Sequence, residues 1–383
     1  MKEMIFTTMP MFVCLFWSTM LALDMPTQRH KRARWHLLAF MLAATILYWG
    51  HCAFFNHAID ILPLADTLYL ACNLAVYPLF FFYVSALTSR SDRLKLSWLF
   101  LLPTALGFVA VGTIYFFMND AETSQFIEQY LYNGKRMELN GLAATQAFVH
   151  DVCKIIFGLL IIPTYVLGRN NIKQFNTLVR TAYSNTEHKT LDAMHWLFIF
   201  FTITSAASFI ANLIGRQAFC DTIWLLAIPS VLFSGMLFAL GYVGYQQRFS
   251  IQDIEEDEKE IDASNENISA TSELRSNIEK LMTEEQLFRQ PNLKILDLVQ
   301  RLGTNRNYVY QAINREMGIS FSEYVNRMRI DYATLLLSQQ PSRSLADVAE
   351  QSGFTSSTSF YRNFKLYKGI GPKEYQNKLK GTS

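Results

Sequence analysis

Patterns that carry chemistry are scarce in this sequence. Its five cysteines (Cys14, Cys52, Cys72, Cys153 and Cys220) form no CxxC pair and stand at no ligand spacing from a histidine, which argues against a disulfide framework or a structural zinc site. A glycine-rich phosphate loop is missing, as is any kinase-like or receiver-like segment, and no nucleophile stands at workable spacing from a base. No enzyme, metal or cofactor is therefore expected. Charge is also sparse: 17% of residues are charged and 51% hydrophobic, too apolar for an ordinary soluble protein of this length. The net charge of +2 hides a division. Apolar blocks crowd the chain before residue 246, and the last third has soluble composition.

A helix of about 20 apolar residues crosses a bilayer because it satisfies its backbone polar groups without water. Seven blocks reach that length: Met4 to Leu23, Trp35 to Phe55, Asp66 to Leu87, Ser97 to Met118, Ala147 to Leu167, Met194 to Leu213 and Thr222 to Tyr245. The first lacks the basic start and the small-residue cleavage site of a signal peptide, so it reads as an uncleaved span. Basic residues in the joints set the orientation. Arg29, Lys31, Arg32, Arg34, Arg90, Arg93, Lys95, Arg169, Lys173, Arg180 and Lys189 fall on one side, against Lys2, Lys135, Arg136 and Arg216 on the other. The first set marks the cytoplasm, which puts the N-terminus outside. An odd number of crossings then leaves everything after Tyr245 inside, at a bacterial inner membrane.

Ionisable residues inside spans are costly. His150, Asp151 and Lys154 stand in the first turns of the fifth span, with Lys154 one helical turn from both partners. Two readings stay open. The three are hydrated at the outer interface, or they join His51, His57, Asp60 and Asp66 in lining an outward-facing pocket that senses a signal.

Past Gln246 the apolar pattern stops. Gln252 to Asn267 holds Asp253, Glu255, Glu256, Asp257, Glu258, Glu260, Asp262 and Glu266 against Lys259 alone, a run that cannot build a core and reads as a flexible acidic linker over 246–271. From Ser272, Leu274, Ile278, Leu281 and Met282 recur at helical spacing and open the next domain.

That domain repeats itself. Leu298, Val299 and Gly303 return fifty residues later as Val348, Ala349 and Gly353; Gly318-Ile319, Glu323-Tyr324 and Asn326-Arg327 return fifty-one later as Gly369-Ile370, Glu374-Tyr375 and Asn377-Lys378. Each unit reads as a helix-turn-helix. In the first, Ile295, Leu298, Val299 and Leu302 form an apolar stripe, Gly303 suits a left-handed cap, Asn305 suits an N-cap, and Val309 and Ile313 face inward. Arg306, Asn307, Tyr310, Gln311 and Asn314 are left outward. In the second, Phe354 sits under the turn and Phe360 and Phe364 anchor the next helix, leaving Ser357, Thr358, Tyr361, Arg362 and Lys365 outward. These side chains suit base edges and phosphates. From Glu273 onward sixteen Lys and Arg face eleven Asp and Glu, a positive balance that favours an anionic partner. A helix over Ser322 to Gln339 would join the units rigidly and let both readers enter successive major-groove turns about 34 Å apart.

Three motifs then add a resemblance: Ala349-x3-Gly353-Phe354, Ser359-Phe360-Tyr361-Arg362-x-Phe364-Lys365, and Gly369-Ile370-Gly371-Pro372-x3-Tyr375. With Phe321-x2-Tyr324 and Arg329-Ile330-x2-Ala333-x2-Leu336-Leu337 in the joining helix, residues Ile278 to Lys378 resemble the DNA-binding domain of the AraC/XylS regulators. The resemblance implies base-facing positions at Asn307, Tyr310 and Gln311, and at Ser357, Thr358, Tyr361 and Arg362. The seven spans stand where that family usually has a soluble ligand-binding domain, so it implies no ligand here.

The expected fold is all-α: a seven-helix transmembrane bundle over 1–245, the linker over 246–271, and over 272–383 a soluble all-α domain with two helix-turn-helix units joined by a long helix. The expected function is a membrane-bound one-component regulator that binds double-stranded promoter DNA, sits among membrane lipid, forms a possible homodimer, and answers a small-molecule or envelope signal. The competing reading is a transporter or intramembrane enzyme whose tail is a protein-interaction module. It requires polar residues in the middles of spans, and here they lie mostly at the ends.

Overall fold

The structure, a computed structural model, describes residues 2–27, 31–89, 97–214, 223–262 and 274–381. Arg29, Arg90, Arg93, Lys95, Arg216, Cys220 and linker residues 263–271 lie outside the described residues. The chain divides into two compact units, Met1–Lys173 with Leu191–Gln252, and Gln174–Thr190 with Asp253–Ser383.

Helices of the first unit are α1 (Lys2–Asp24), α2 (Arg32–Phe55), α3 (Leu62–Thr88), α4 (Leu102–Phe117), the short α5 (Asp120–Gln125), α6 (Gly141–Ala182, whose last residues belong to the second unit), α7 (Asp192–Ile214) and α8 (Ile223–Gln246). Seven of them, all but α5, belong to stretches long and apolar enough to cross a membrane. The seven blocks expected from hydropathy are thus present as helices. Pro10, Pro78, Pro163 and Pro229 sit inside α1, α3, α6 and α8, while Pro103 sits at the start of α4, where a missing N–H costs nothing.

Burial ranks these helices. In α3, 83% of the apolar window is buried, against 11% in the stretch holding α4, so α3 is the centre and α4 the rim. Outward faces are as apolar as the interior: Phe116, Leu159, Ile162, Trp196, Ile203 and Leu232 are all more than half exposed. A surface like that is unfavourable in water and suits hydrocarbon. At one end of the bundle Arg34 is almost wholly buried, pairs with Asp24 at 3.1 Å and donates to the Tyr245 carbonyl at 2.9 Å.

Among the described residues eight helices make up the rest of the second unit: α9 (Ile251–Asp262, most of it in this unit), α10 (Leu274–Thr283), α11 (Ile295–Leu302), α12 (Arg306–Tyr310, continued by a π-helical turn Gln311–Glu316), α13 (Phe321–Gln339), α14 (Leu345–Gln351), α15 (Ser357–Lys368) and α16 (Pro372–Gly381). No strand occurs among the described residues; Tyr183 and Lys294 form an isolated bridge. The fold is therefore all-α, as expected.

The acidic segment differs from expectation, since its first half is the helix α9 rather than flexible chain. Ile251 and Ile254, one turn apart, are both buried, and Asp253 in the first turn with Lys259 in the last complements the helix dipole.

Candidate functional site

Two helix-turn-helix units form as the repeat predicts. Gly303 closes α11 in the left-handed conformation, and the Asn305 side chain accepts from the Tyr308 amide at 3.1 Å to start α12. Its counterpart Gly353 has φ +85, and an added Cβ would meet the Arg289 carbonyl oxygen at 2.6 Å. Only glycine fits that approach. Ser356 then caps α15 by accepting from the Ser359 amide at 3.1 Å.

The second unit is seated on α13 through a core of Ile330, Ala333, Leu337, Val348, Phe360 and Phe364. With its inner face fixed there, α15 turns Ser357, Thr358, Tyr361, Arg362 and Lys365 outward, every one exposed. In the first unit Asn307 and Gln311 are exposed, and Arg306, Tyr310 and Asn314 are half-buried. The Asn314 amide donates to the Tyr310 carbonyl at 3.2 Å, which engages one of its donors within the helix.

A buried guanidinium holds the domain together. Arg329 on α13 is 1% exposed; it donates to the carbonyl oxygens of Phe288 at 2.7 Å and Gln290 at 2.8 Å. Burial lowers its pKa to about 10, which still leaves it charged at neutral pH. Arg329 also donates to the Ser184 hydroxyl at 3.3 Å, and Asn326 and Ser322 donate to the Ser184 carbonyl at 3.2 Å each. Sequence reasoning missed this docking of the segment after α6, because the partners lie over a hundred residues apart and share no local pattern.

Acidic side chains approach both readers. Glu258 of α9 forms an ion pair with Arg306. Asp257 accepts from Lys294 Nζ at 2.8 Å and from the Tyr183 hydroxyl at 2.5 Å; burial first, then the Asp257 carboxylate, raises the Tyr183 pKa. At the second reader, Glu187 accepts from the Ser356 hydroxyl at 2.5 Å, and Asn185 donates to Thr355 Oγ1 at 2.8 Å. Lys189, stacked 4.1 Å from the Tyr183 ring centroid, has its pKa lowered to about 8 by burial and by the charge of Lys294.

In the first unit four of the five candidate sensing residues converge. His150 Nε2 lies 2.7 Å from Asp66, and both side chains are nearly closed to solvent. His150 Nδ1 lies 2.9 Å from the Gln146 backbone carbonyl, so the imidazole is held at both nitrogens. Tyr115 donates to Asp66 at 2.9 Å. Asp151 accepts from Tyr130 at 2.5 Å and Arg136 at 2.8 Å, and Lys154 lies 3.5 Å from Asp151 and donates to the Tyr130 hydroxyl at 3.0 Å. His51 is elsewhere, against the rings of Tyr48, Phe55 and Tyr69. No group of His, Cys, Asp and Glu capable of holding a metal occurs among the described residues.

Comparisons with known proteins bear on the last third of the chain. The family model for a helix-turn-helix domain matches residues 298–378. This is the stretch whose motifs resemble the AraC/XylS regulators. The melibiose operon regulatory protein of Escherichia coli is 34% identical over 84 residues, which are 22% of this chain and 28% of that one. The Msm operon regulatory protein of Streptococcus mutans is 26% identical over 91 residues, 24% of this chain and 32% of that one. The HTH-type transcriptional regulator YtdP of Bacillus subtilis is 36% identical over 87 residues, 23% of this chain and 11% of that one. The chain thus spans a third or less of the length of these relatives. No solved structure matches the chain.

Proposed function

We propose that the protein is a membrane-bound one-component regulator of transcription that binds promoter DNA through α12 and α15. The observation that carries the reading is the row Ser357, Thr358, Tyr361, Arg362 and Lys365, exposed together on a helix whose other face is locked into the AraC-type core. Such a row suits a major groove: Arg362 for a guanine edge or phosphate, Lys365 for phosphate, the hydroxyls for either. On α12, Asn307 and Gln311 supply the counterpart positions, with Arg306, Tyr310 and Asn314 flanking them.

The seven apolar helices hold this domain at the inner membrane, with the N-terminus outside and the C-terminal domain in the cytoplasm; the basic joints support that orientation. A homodimer on DNA fits the two-fold sites common to such readers. The sensing element lies in the first unit, whose two states must differ in affinity for the signal.

Footprinting of the purified full-length protein, in nanodiscs, on the DNA upstream of its own gene tests the reading. Protection of two adjacent major-groove segments at low salt is expected. Uniform cleavage at all protein concentrations overturns it.

A further inference from the structure

Between α1, α2, α3, α6, α7 and α8 the first unit holds a cavity of about 450 Å³, within the size range of small-molecule sites. Its walls are mostly apolar, with Phe40, Phe157 and Phe201 beside Tyr48 and Tyr69. No Asp, Glu, Lys or Arg lines it among the described residues, and its one imidazole, His51, is stacked on the Phe55 ring; an ammonium there would be buried without a countercharge, and a carboxylate would find only an imidazole that must itself take up a proton. Tyr77 indicates what the cavity takes. This wall residue is 3% exposed, and its hydroxyl has no hydrogen-bond partner among the described residues, although buried polar groups are almost always paired. Its ring packs on Phe157 and Phe201, with centroids 5.4 and 5.1 Å away.

We infer that the cavity binds an uncharged, mainly apolar small molecule whose carbonyl, ether or hydroxyl oxygen accepts a hydrogen bond from Tyr77. Its meaning as the sensed signal rests on the regulator reading above; the binding itself does not. The probe is a neutral fatty alcohol bearing a diazirine, photolysed with full-length protein in nanodiscs, with adducts mapped by peptide mass spectrometry. Saturable labelling near Tyr77, Tyr48 and Ser205 is expected, with half-saturation raised about tenfold in Tyr77→Phe and labelling largely lost in Ala44→Trp, which fills the cavity. Linear, unsaturable labelling spread over outward residues such as Phe116 and Ile203, or equal half-saturation in Tyr77→Phe, overturns the site. Footprinting of the same preparation shows separately whether the DNA reading stands.

Different atoms carry a second inference. Each reader has an acidic side chain at the start of its recognition helix: Glu258 on Arg306, the first residue of α12, and Glu187 on Ser356, the cap of α15. Arginine and serine side chains are common phosphate contacts in DNA-binding proteins. We propose that these carboxylates stand in for phosphates, so the arrangement described is a masked form that must open before DNA binds. Glu187 lies in the joint that follows α6, and Glu258 lies in α9, the next helix after α8, so each acid is linked in the chain to an apolar helix of the first unit. This rests on the regulator reading.

The test compares wild type with Glu187→Gln/Glu258→Gln, each full-length in nanodiscs, on upstream DNA at one fixed salt concentration. The double variant binds about tenfold tighter or more if the mask exists, and binding by the variant alone is the extreme of the same result. Equal or weaker binding by the variant, with wild type bound, overturns the mask and leaves the regulator reading standing. Absence of binding by both overturns the two together.

Discussion

Arg329 Nε donates to the Phe288 carbonyl at 2.7 Å from a position 1% exposed, tying α13 to the turn that precedes α11. Replacing it with Ala orphans the carbonyls of Phe288 and Gln290 and opens a void, a loss of about 3 kcal/mol. Calorimetry of the full-length protein is expected to show the soluble domain's transition lower by on the order of 10 °C. Arg329→Lys recovers only part, since a single ammonium cannot serve both carbonyls with the guanidinium's fixed fork. An unchanged transition in Arg329→Ala would remove this residue from the core.

Gly353 and Gly318 separate two costs. Both have positive φ, but an added Cβ meets the Arg289 backbone at 2.6 Å only at Gly353, whereas at Gly318 nothing lies within 4 Å. Gly318→Ala is expected to cost about 1 kcal/mol from backbone strain alone, and Gly353→Ala at least about 2 kcal/mol more because the clash is with main chain. Urea denaturation of the two variants gives the ordering; equal midpoints would contradict it.

Lys189 carries a pH prediction. Its folded pKa is lowered to about 8 from the ordinary lysine value of 10.5, first by burial and then by Lys294. Because the folded value lies below the unfolded one, the segment that holds Lys189 is steadied as pH rises from about 8 towards 10.5 and loses that gain as pH falls back through 8. Competitive labelling with acetic anhydride is expected to show a midpoint for Lys189 near 8, and a higher one in Lys294→Met. A midpoint with the ordinary lysines would contradict the burial.

Arg362 and Lys365 are expected to fail differently. Arg362→Ala weakens specific binding by about 1–3 kcal/mol and relaxes preference at one base pair, while Lys365→Ala weakens all sequences alike and lowers the salt slope by about 1. Binding isotherms at several salt concentrations distinguish them, and identical slopes for Lys365→Ala and wild type would take Lys365 off the phosphates.

Much of this architecture was legible in the sequence because its signals are local. The spans announce themselves by apolar length, and the paired units by a period of fifty residues whose glycines, caps and phenylalanines take the expected places. The helical form of 251–262 was hidden by its acidity: composition registers repulsion, whereas burial of Ile251 and Ile254 decides the conformation. Of the sensing candidates, Asp66 with His150 and Asp151 with Lys154 form two neighbouring clusters that meet where the Tyr130 ring packs on His150, and His51 joins neither, since a side chain's neighbours depend on the azimuth of its helix. Ser184 beneath α13 had no signature at all.

α13 runs unbroken from Phe321 to Gln339, a rod roughly 28 Å long at 1.5 Å per residue. On the proposed reading, a rod of fixed length is a ruler graduated in base pairs. An operator lengthened by half a turn between its two recognised segments would present the second to the wrong side of the duplex. One lengthened by a full turn would restore the side but exceed the reach, so neither insertion should be tolerated by a single copy of the chain.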